Sequence, residues 1–124
     1  MRILLAILCL VPLSEVQLLA QMRVKVYRAS MASSDRQVVQ VTKKLVFALG
    51  EGMLWANGEA NRAGSPVYCQ PENLALGEDN YVDILNRVIR TVSNPANQAE
   101  VDDYPVGGLL IQGLKMTFPC AKKP

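Results

Sequence analysis

The sequence predicts an all-α fold, a small helical domain in which a long N-terminal helix packs on a disulfide-clamped helical hairpin. Apolar residues recur at steps of three and four in three separate stretches, a spacing that is typical of amphipathic helices. Polar breaks separate the stretches and indicate the loops between the helices. Two cysteines, Cys69 and Cys120, flank the last two stretches and suggest how the hairpin is closed.

The hairpin is predicted in the second half of the chain. Its first helix is expected at about 77–92 and its second at 106–118, with a polar break between them. In an antiparallel hairpin the start of the first helix and the end of the second lie at the same end of the pair. Because those two points carry Cys69 and Cys120, the geometry predicts a disulfide between them. The apolar positions of the two helices are Tyr81, Ile84, Leu85, Val88, Ile89 and Val92, followed by Val106, Leu109, Leu110, Leu114 and Phe118.

Residues 1–20 have the layout of a secretory signal peptide. A positive start is followed by an apolar run at 3–13, which is shorter than the roughly 20 residues of a membrane-spanning helix, and Ala20 supplies a small residue for cleavage. Leu18 is larger than is usual at its position before a cleavage site, so an uncleaved N-terminal anchor is the alternative. We expect a single exported domain at 21–124, located in the periplasm and, after leader removal, not bound to the membrane.

Removal of the leader would remove Cys9 and leave two cysteines, an even number in an exported chain. The span from Cys69 to Cys120 closes a loop of roughly 50 residues, for which loop-closure entropy gives a stabilisation of about 4 kcal/mol. Two free thiols or a metal pair are disfavoured, because the sequence has no histidine and no third cysteine would remain to complete a zinc site. We therefore predict a disulfide and no metal or cofactor.

The long N-terminal helix is expected after a short lead-in. Residues 21–28 alternate apolar and polar side chains, which favours an extended arm with no strand to pair with. The residues from Ser34 onward form a capping-box pattern, so the helix is expected to begin there. Continued to Arg62, it would be about 40 Å long. Gly50 and Gly52 each cost roughly 1 kcal/mol in a helix interior, and we favour close packing over a bend as their role.

This helix is apolar on two neighbouring faces, which predicts two packing partners. One partner is the hairpin, and the second could be another copy of the chain. Phe47 and Leu54 lie on the narrower face, with Trp55 at the same level. These three side chains would be exposed in a monomer if the hairpin covered the broader face, so we expect them at a homodimer interface. The broader face comprises Val38, Val41, Leu45, Leu49, Gly52, Ala56 and Ala60.

Several functional classes are disfavoured by the composition. The net charge is +2 with both signs mixed along the chain, unlike the clustered basic face of a nucleic-acid-binding protein. Without histidine, the Ser–His and Cys–His routes to an activated nucleophile are absent. The adjacent carboxylates Glu78 with Asp79, and Asp102 with Asp103, would point apart on a helix instead of flanking a substrate. We predict that the protein is not an enzyme.

Four segments together resemble the Rap/Tai family of type VI secretion immunity proteins. They are 47–57 (FALGEGMLWAN), 68–72 (YCQPE), 82–85 (VDIL) and 118–120 (FPC), in this order. The resemblance implies a small, helical, periplasmic and often dimeric protein that binds and inhibits a peptidoglycan-cleaving amidase delivered by another cell. It also implies the bridge between Cys69 and Cys120. Family members often carry a further cysteine pair in the N-terminal half, which this chain lacks in 30–49.

An inhibitor of this kind needs a protruding element, and the polar connection at 93–104 is the best candidate. We expect Glu100, Asp102 and Tyr104 to contact the amidase, because an acidic tip with an aromatic residue suits a basic cleft. Asp103 is expected to cap the last helix, with Pro105 in its first turn. The alternative to an inhibitor is an exported helical envelope module with a structural or ligand-binding role and no toxin partner.

Overall fold

The computed structural model describes residues 22–121, and within them it confirms the all-α prediction. The helices there are α1 (Val24–Met31), α2 (Arg36–Arg62), α3 (Glu78–Val92), α4 (Gln98–Asp102) and α5 (Val106–Thr117). The expected signal peptide and its cleavage point lie outside the described residues. None of the helices in this part of the chain combines the length and the apolar character that a membrane crossing requires.

The predicted hairpin is present, and its bounds agree with the sequence to about one residue. Helices α3 and α5 pack against each other more extensively than any other pair. They approach closely at Gly113, where a Cβ atom would lie 2.7 Å from Cγ2 of Ile84. The core is built mainly from these two helices and the residues that face them, namely Val24, Tyr27, Val46, Tyr68, Tyr81, Val82, Ile84, Leu85, Val88, Ile89, Val101, Val106, Leu109, Leu110 and Leu114.

The predicted disulfide closes one end of the hairpin. Cys69 and Cys120 are bonded across a sequence separation of 51 residues, with Cα atoms 4.9 Å apart. The Cys69 amide also donates a hydrogen bond to the Phe118 carbonyl at 2.8 Å. The segment that enters α3 and the segment that leaves α5 are therefore joined by a covalent bond and by a backbone bond.

Helix α2 is continuous through both glycines, as expected, but it begins one residue later than predicted. Asp35, and not Ser34, is the N-cap: its carboxylate accepts the Gln37 amide at 2.8 Å. The close-packing role predicted for both glycines holds for Gly50, where a Cβ would overlap the ring of Tyr81, but it is wrong for Gly52, which has nothing within 4 Å of its Cβ direction. That ring also meets Phe47 edge-on, with centroids 6.0 Å apart.

The dimer-interface prediction depended on the hairpin covering the broader apolar face of α2, and this condition does not hold. The buried positions of α2 are Thr42, Val46, Gly50 and Asn57, which are small or polar. The broader apolar face is the exposed one, since Val38, Val41, Leu45 and Leu49 keep 37–50% of their surface accessible. Apolar residues of α2 do pack inward at Val46, Phe47 and Met53, but the longer apolar stripe faces outward. Gly50 lies on the buried side, where it leaves space for the ring of Tyr81.

The extended arm predicted at 21–28 is also largely wrong. Arg23 is extended and forms an antiparallel bridge with Pro105, and beside it the Val106 amide donates to the Met22 carbonyl at 2.8 Å. From Val24 onward the chain is helical. Val24, Tyr27 and Met31 share one face and pack on the core, so a helical period overrides the short alternating pattern.

Candidate functional site

The connection between α3 and α5 is a braced segment and not a free loop. It contains the short helix α4, and Val101 anchors that helix in the core at 8% exposure. The tip is organised by two asparagines. Asn94 Oδ1 accepts the amides of Ala96 and Asn97 at 2.9 and 3.1 Å, and the Asn97 side chain donates to the Val92 carbonyl at 2.8 Å. These bonds connect the tip to the end of α3 and to its own backbone.

Helix α1 straps this segment to the body of the protein. The Arg28 guanidinium lies 3.4 Å from the Asp102 carboxylate, and the Lys25 ammonium lies 3.0 Å from that of Asp103. The Arg23 guanidinium donates to the Asp103 carbonyl, and the Val24 amide donates to the Tyr104 carbonyl at 3.0 Å.

This arrangement corrects two expectations. Asp103 does not cap α5: Pro105 is the N-cap residue of that helix, and the Asp103 carboxylate is held by Lys25 instead. The hydrogen bond and charge of Lys25 hold the pKa of Asp103 below its usual range. Asp102 was expected at an exposed tip, but it is half-buried and bound by Arg28 and by the Gln98 amide. The acidic tip is therefore mostly neutralised by α1.

Two of the three residues expected to contact a partner remain accessible. Glu100 is exposed and forms no ion pair with any other residue in 22–121. Tyr104 is 48% exposed, and one edge of its ring packs near Gly108. Both belong to the wall of an open cleft of about 300 Å³ between α4 and the ends of α3 and α5. The lining residues are Val92, Asn97, Glu100, Val101, Tyr104, Leu109 and Gln112.

The cleft combines an apolar floor with a polar rim. Val92, Val101 and Leu109 supply the apolar surface, and Glu100 supplies the one carboxylate among the lining residues. Such a surface can accept an apolar side chain of a partner and pair its rim with a cation. Val92, Leu109 and Gln112 were not predicted at this site, because the connection was expected to be a loop apart from the helices. The signal available was Val92, which ends the apolar stripe of α3 next to this segment.

A second open pocket of about 400 Å³ lies between α1 and α3. Tyr27 donates to Asn86 at 2.8 Å, and Arg28 donates to Ser93 at 3.1 Å while pairing with Asp102. Arg90 also lines the pocket, and it forms no ion pair with another residue in 22–121. The Nε atom of Arg28 is buried without a hydrogen-bond partner.

The segments singled out in the sequence at 47–57, 68–72 and 118–120 have a different role, since they hold the fold together. The Asn57 amide group donates to the Tyr68 carbonyl at 2.8 Å and accepts the amides of Val67 and Tyr68 at 2.7 and 3.2 Å. Tyr68 is buried, and the next residue is the bonded Cys69. These three segments thus meet at the end of the hairpin that the disulfide closes.

The residues expected at a dimer interface divide between the two sides of α2. Phe47 is half-buried and packs on the core, contrary to the exposure expected for it. Leu54 is also half-buried, whereas Trp55 is 73% exposed.

Within residues 22–121, no group of three or more cysteine and carboxylate side chains comes together as a set of metal ligands. No protein-family model matches the chain, and no curated protein or solved structure matches it either.

Proposed function

We propose that this protein is a periplasmic immunity protein that binds and inhibits a peptidoglycan-degrading amidase toxin of a type VI secretion system. The observation that carries the proposal is the cleft beside Tyr104, an exposed aromatic and an unpaired carboxylate on a braced segment. The ordered segments that resemble the Rap/Tai family support it independently.

The bracing supports a binding role on energetic grounds. A flexible loop loses conformational entropy when it binds, at roughly 0.5–1.5 kcal/mol for each immobilised side chain. The Asn94 and Asn97 bonds and the ion pairs of α1 already hold this segment, so less entropy is lost on association. The inhibitory mechanism that follows is steric: the segment occupies the amidase cleft and excludes the peptidoglycan strand.

The chemistry of the contact follows from the two exposed groups. Tyrosine is enriched among residues that dominate binding energy, because its ring contributes a large area with few rotatable bonds. Glu100 provides charge complementarity to a basic residue at the mouth of the toxin cleft. The disulfide supports export to an oxidising compartment such as the periplasm, where the amidase would act.

The alternative function is an exported helical envelope module without a toxin partner. The same cleft gives it some support, since about 300 Å³ of mostly apolar space lies at the lower limit of small-ligand pockets. The two functions differ in what must be present. An inhibitor requires a hydrolase, whereas a ligand-binding module acts without one.

Co-expression tests the proposal. An amidase encoded beside the gene for this protein would be exported to the periplasm of a test bacterium, with and without this chain. We expect the chain to restore survival, and the purified protein to lower the rate at which the amidase releases peptides from peptidoglycan. Cells that die equally in both cases, with no inhibition in the purified assay, would favour the envelope module.

A further inference from the structure

The pocket between α1 and α3 is lined by two arginines and by no carboxylate. Its volume of about 400 Å³ is within the range of pockets that hold small molecules. It shares no lining residue with the cleft beside Tyr104. The lining residues are Tyr27, Arg28, Asn86, Ile89, Arg90 and Ser93.

Most of the hydrogen-bonding capacity of the two arginines is unused. An arginine has five N–H groups, and within 22–121 Arg28 uses one of them, which donates to Ser93 Oγ at 3.1 Å. Its buried Nε has no hydrogen-bond partner, although the Asp102 carboxylate lies 3.4 Å away. The side chain of Arg90 is exposed and makes no hydrogen bond or ion pair with another residue in this range. Because guanidinium groups bind oxyanions through paired N–H groups, the two arginines form a site for an anion.

The charge of the pocket matches a ligand with one negative charge. Arg28 and Arg90 contribute two positive charges, and Asp102 balances one of them by pairing with Arg28. Asp83, the next carboxylate along α3, is not among the lining residues. A phosphate group carries about −1.5 to −2 charges at pH 7, whereas a carboxylate carries one. The excess of one positive charge therefore favours a carboxylate.

The groups beside the arginines suit the end of a peptide. Tyr27 donates to Asn86 Oδ1 at 2.8 Å, which fixes this amide and leaves its Nδ2 group without a partner within 22–121. That group can donate to a carbonyl oxygen. Ile89 and the ring of Tyr27 are buried and form an apolar wall that a small side chain can contact. A carboxylate, a neighbouring carbonyl and a small apolar side chain are together the C-terminus of a peptide.

We propose that this pocket binds the C-terminal carboxylate of a short peptide. Arg90 and Arg28 hold the carboxylate, and Asn86 donates to the preceding carbonyl. Because the pocket is open, the rest of the peptide extends into solvent. The site needs no toxin, so its test is separate from that of the proposed function.

The experiment is an NMR titration of the oxidised, ¹⁵N-labelled chain from residue 21, which retains every described residue, with N-acetyl-alanyl-alanine. We expect a dissociation constant of about 1 mM, as is usual for a ligand of this size. The largest shift changes should occur at the amides of Asn86, Arg90 and Ser93. The same peptide with a C-terminal carboxamide lacks the charge and should bind at least about tenfold more weakly, the change expected for loss of a charge-assisted hydrogen bond.

A matched pair of substitutions tests the role of the arginine. Arg90→Gln should weaken binding of the peptide by about tenfold, since it removes one of the two guanidinium groups. Arg87→Gln is the control, because Arg87 is exposed on the same helix and does not line the pocket. It removes the same charge and should change the dissociation constant by less than about twofold. Arg28 is left intact, since it also pairs with Asp102 and binds Ser93.

Several results would overturn the proposal. Equal weakening by Arg90→Gln and Arg87→Gln, or none by either, would remove Arg90 from the site. Shift changes outside the pocket, or no saturation at about 20 mM peptide, would leave Arg90 only as a cation that suits the C-terminal end of the α3 dipole. Acetate and inorganic phosphate are the competing anions, and either one binding as tightly as the peptide would contradict a site for a peptide terminus.

Discussion

The two ends of the hairpin formed by α3 and α5 are closed in different ways. At one end Cys69 and Cys120 form a covalent bond, and Asn57 of α2 binds the backbone beside it with three hydrogen bonds. At the other end the connection at 93–105 is held by backbone bonds and by exposed or half-exposed ion pairs to α1. At the disulfide end, which we call the clamped end, the Asn57 side chain is buried, whereas the other end, which we call the strapped end, leaves Glu100 and Tyr104 accessible.

This difference separates stability from recognition. The segments that resemble the Rap/Tai family mostly lie at the clamped end, where they determine the fold. The residues that would contact an amidase lie at the strapped end, where a substitution changes the surface at little cost to stability. Substitutions at the two ends should therefore differ in kind.

Loss of the disulfide is expected to have the largest effect on stability. Cys69→Ser with Cys120→Ser removes a constraint on a loop of 51 residues, and loop-closure entropy gives a loss of about 4 kcal/mol. Urea unfolding of the oxidised parent and of the double variant would measure it, with the reduced parent as a control. A difference below about 1 kcal/mol would show that the clamp contributes little.

Asn57→Ala is expected to rank second, with a loss of about 2–3 kcal/mol. The substitution leaves the amide and carbonyl of the buried Tyr68 without partners, and an unsatisfied buried group costs about 1–3 kcal/mol. Asn61→Ala, an exposed asparagine on the same helix, is the matched control and should change stability by less than about 0.5 kcal/mol. Thermal unfolding of the two variants would compare them.

Alkaline pH is expected to have the third largest effect on stability, again at the clamped end. Burial, followed by the hydrogen bond to Glu51, raises the pKa of Tyr81 above its ordinary value of 10.0, and burial also raises the pKa of Tyr68. Because the folded pKa exceeds the unfolded one, the contribution of each phenol to stability is complete below about pH 10 and is lost as the pH rises further. Urea unfolding at pH 9, 10 and 11 should show the decline. Tyr81→Phe should decline less steeply, and equal slopes would contradict this account.

At the strapped end the effect of a lost ion pair is expected to be smaller. Asp102→Ala removes the partner of Arg28, and for a half-exposed pair we expect a loss of about 1 kcal/mol. Lowering the pH also destabilises this end, through Asp103. The pKa of Asp103 is depressed in the folded state by Lys25, so the contribution of this carboxylate to stability is present at neutral pH. It is lost as the pH falls through the folded pKa. Raising the salt concentration should reduce the effect of Asp102→Ala. Losses above about 3 kcal/mol would mean that this end is not the weaker one.

The sequence was sufficient to predict the hairpin and its bridge, because the apolar stripes of α3 and α5 and the two cysteines are strong, mutually consistent signals. It was insufficient for α2, where apolar side chains lie on the exposed face and the buried face depends on the fit of the Tyr81 ring beside Gly50. Shape complementarity of that kind is not visible in hydrophobic periodicity.

The candidate site was predicted in part. Glu100 and Tyr104 are accessible as expected, but the ion pairs from Lys25 and Arg28 to the neighbouring carboxylates were not predicted. Their partners are more than 70 residues apart in sequence, and α1 was not recognised as a helix. Long-range pairing between two short elements leaves no periodic signal.

We propose that recognition of the amidase resides at the strapped end. Glu100→Ala with Tyr104→Ala removes the two accessible side chains and spares Asp102, whose ion pair with Arg28 supports the segment. We expect this variant to unfold within about 1 kcal/mol of the parent, since both residues are exposed. The matched control is Glu72→Ala with Leu74→Ala, an exposed carboxylate and an exposed apolar residue at the clamped end.

The direct measurement is the dissociation constant of each protein with the neighbouring amidase, obtained by titration calorimetry. If the two side chains are binding hot spots, their removal should cost at least about 2 kcal/mol, which is roughly a 30-fold weaker complex. The Glu72 and Leu74 control should bind within about threefold of the parent, a difference typical of neutral contacts. A folded Glu100 and Tyr104 variant that binds as tightly as the parent would contradict the assignment of recognition to this end.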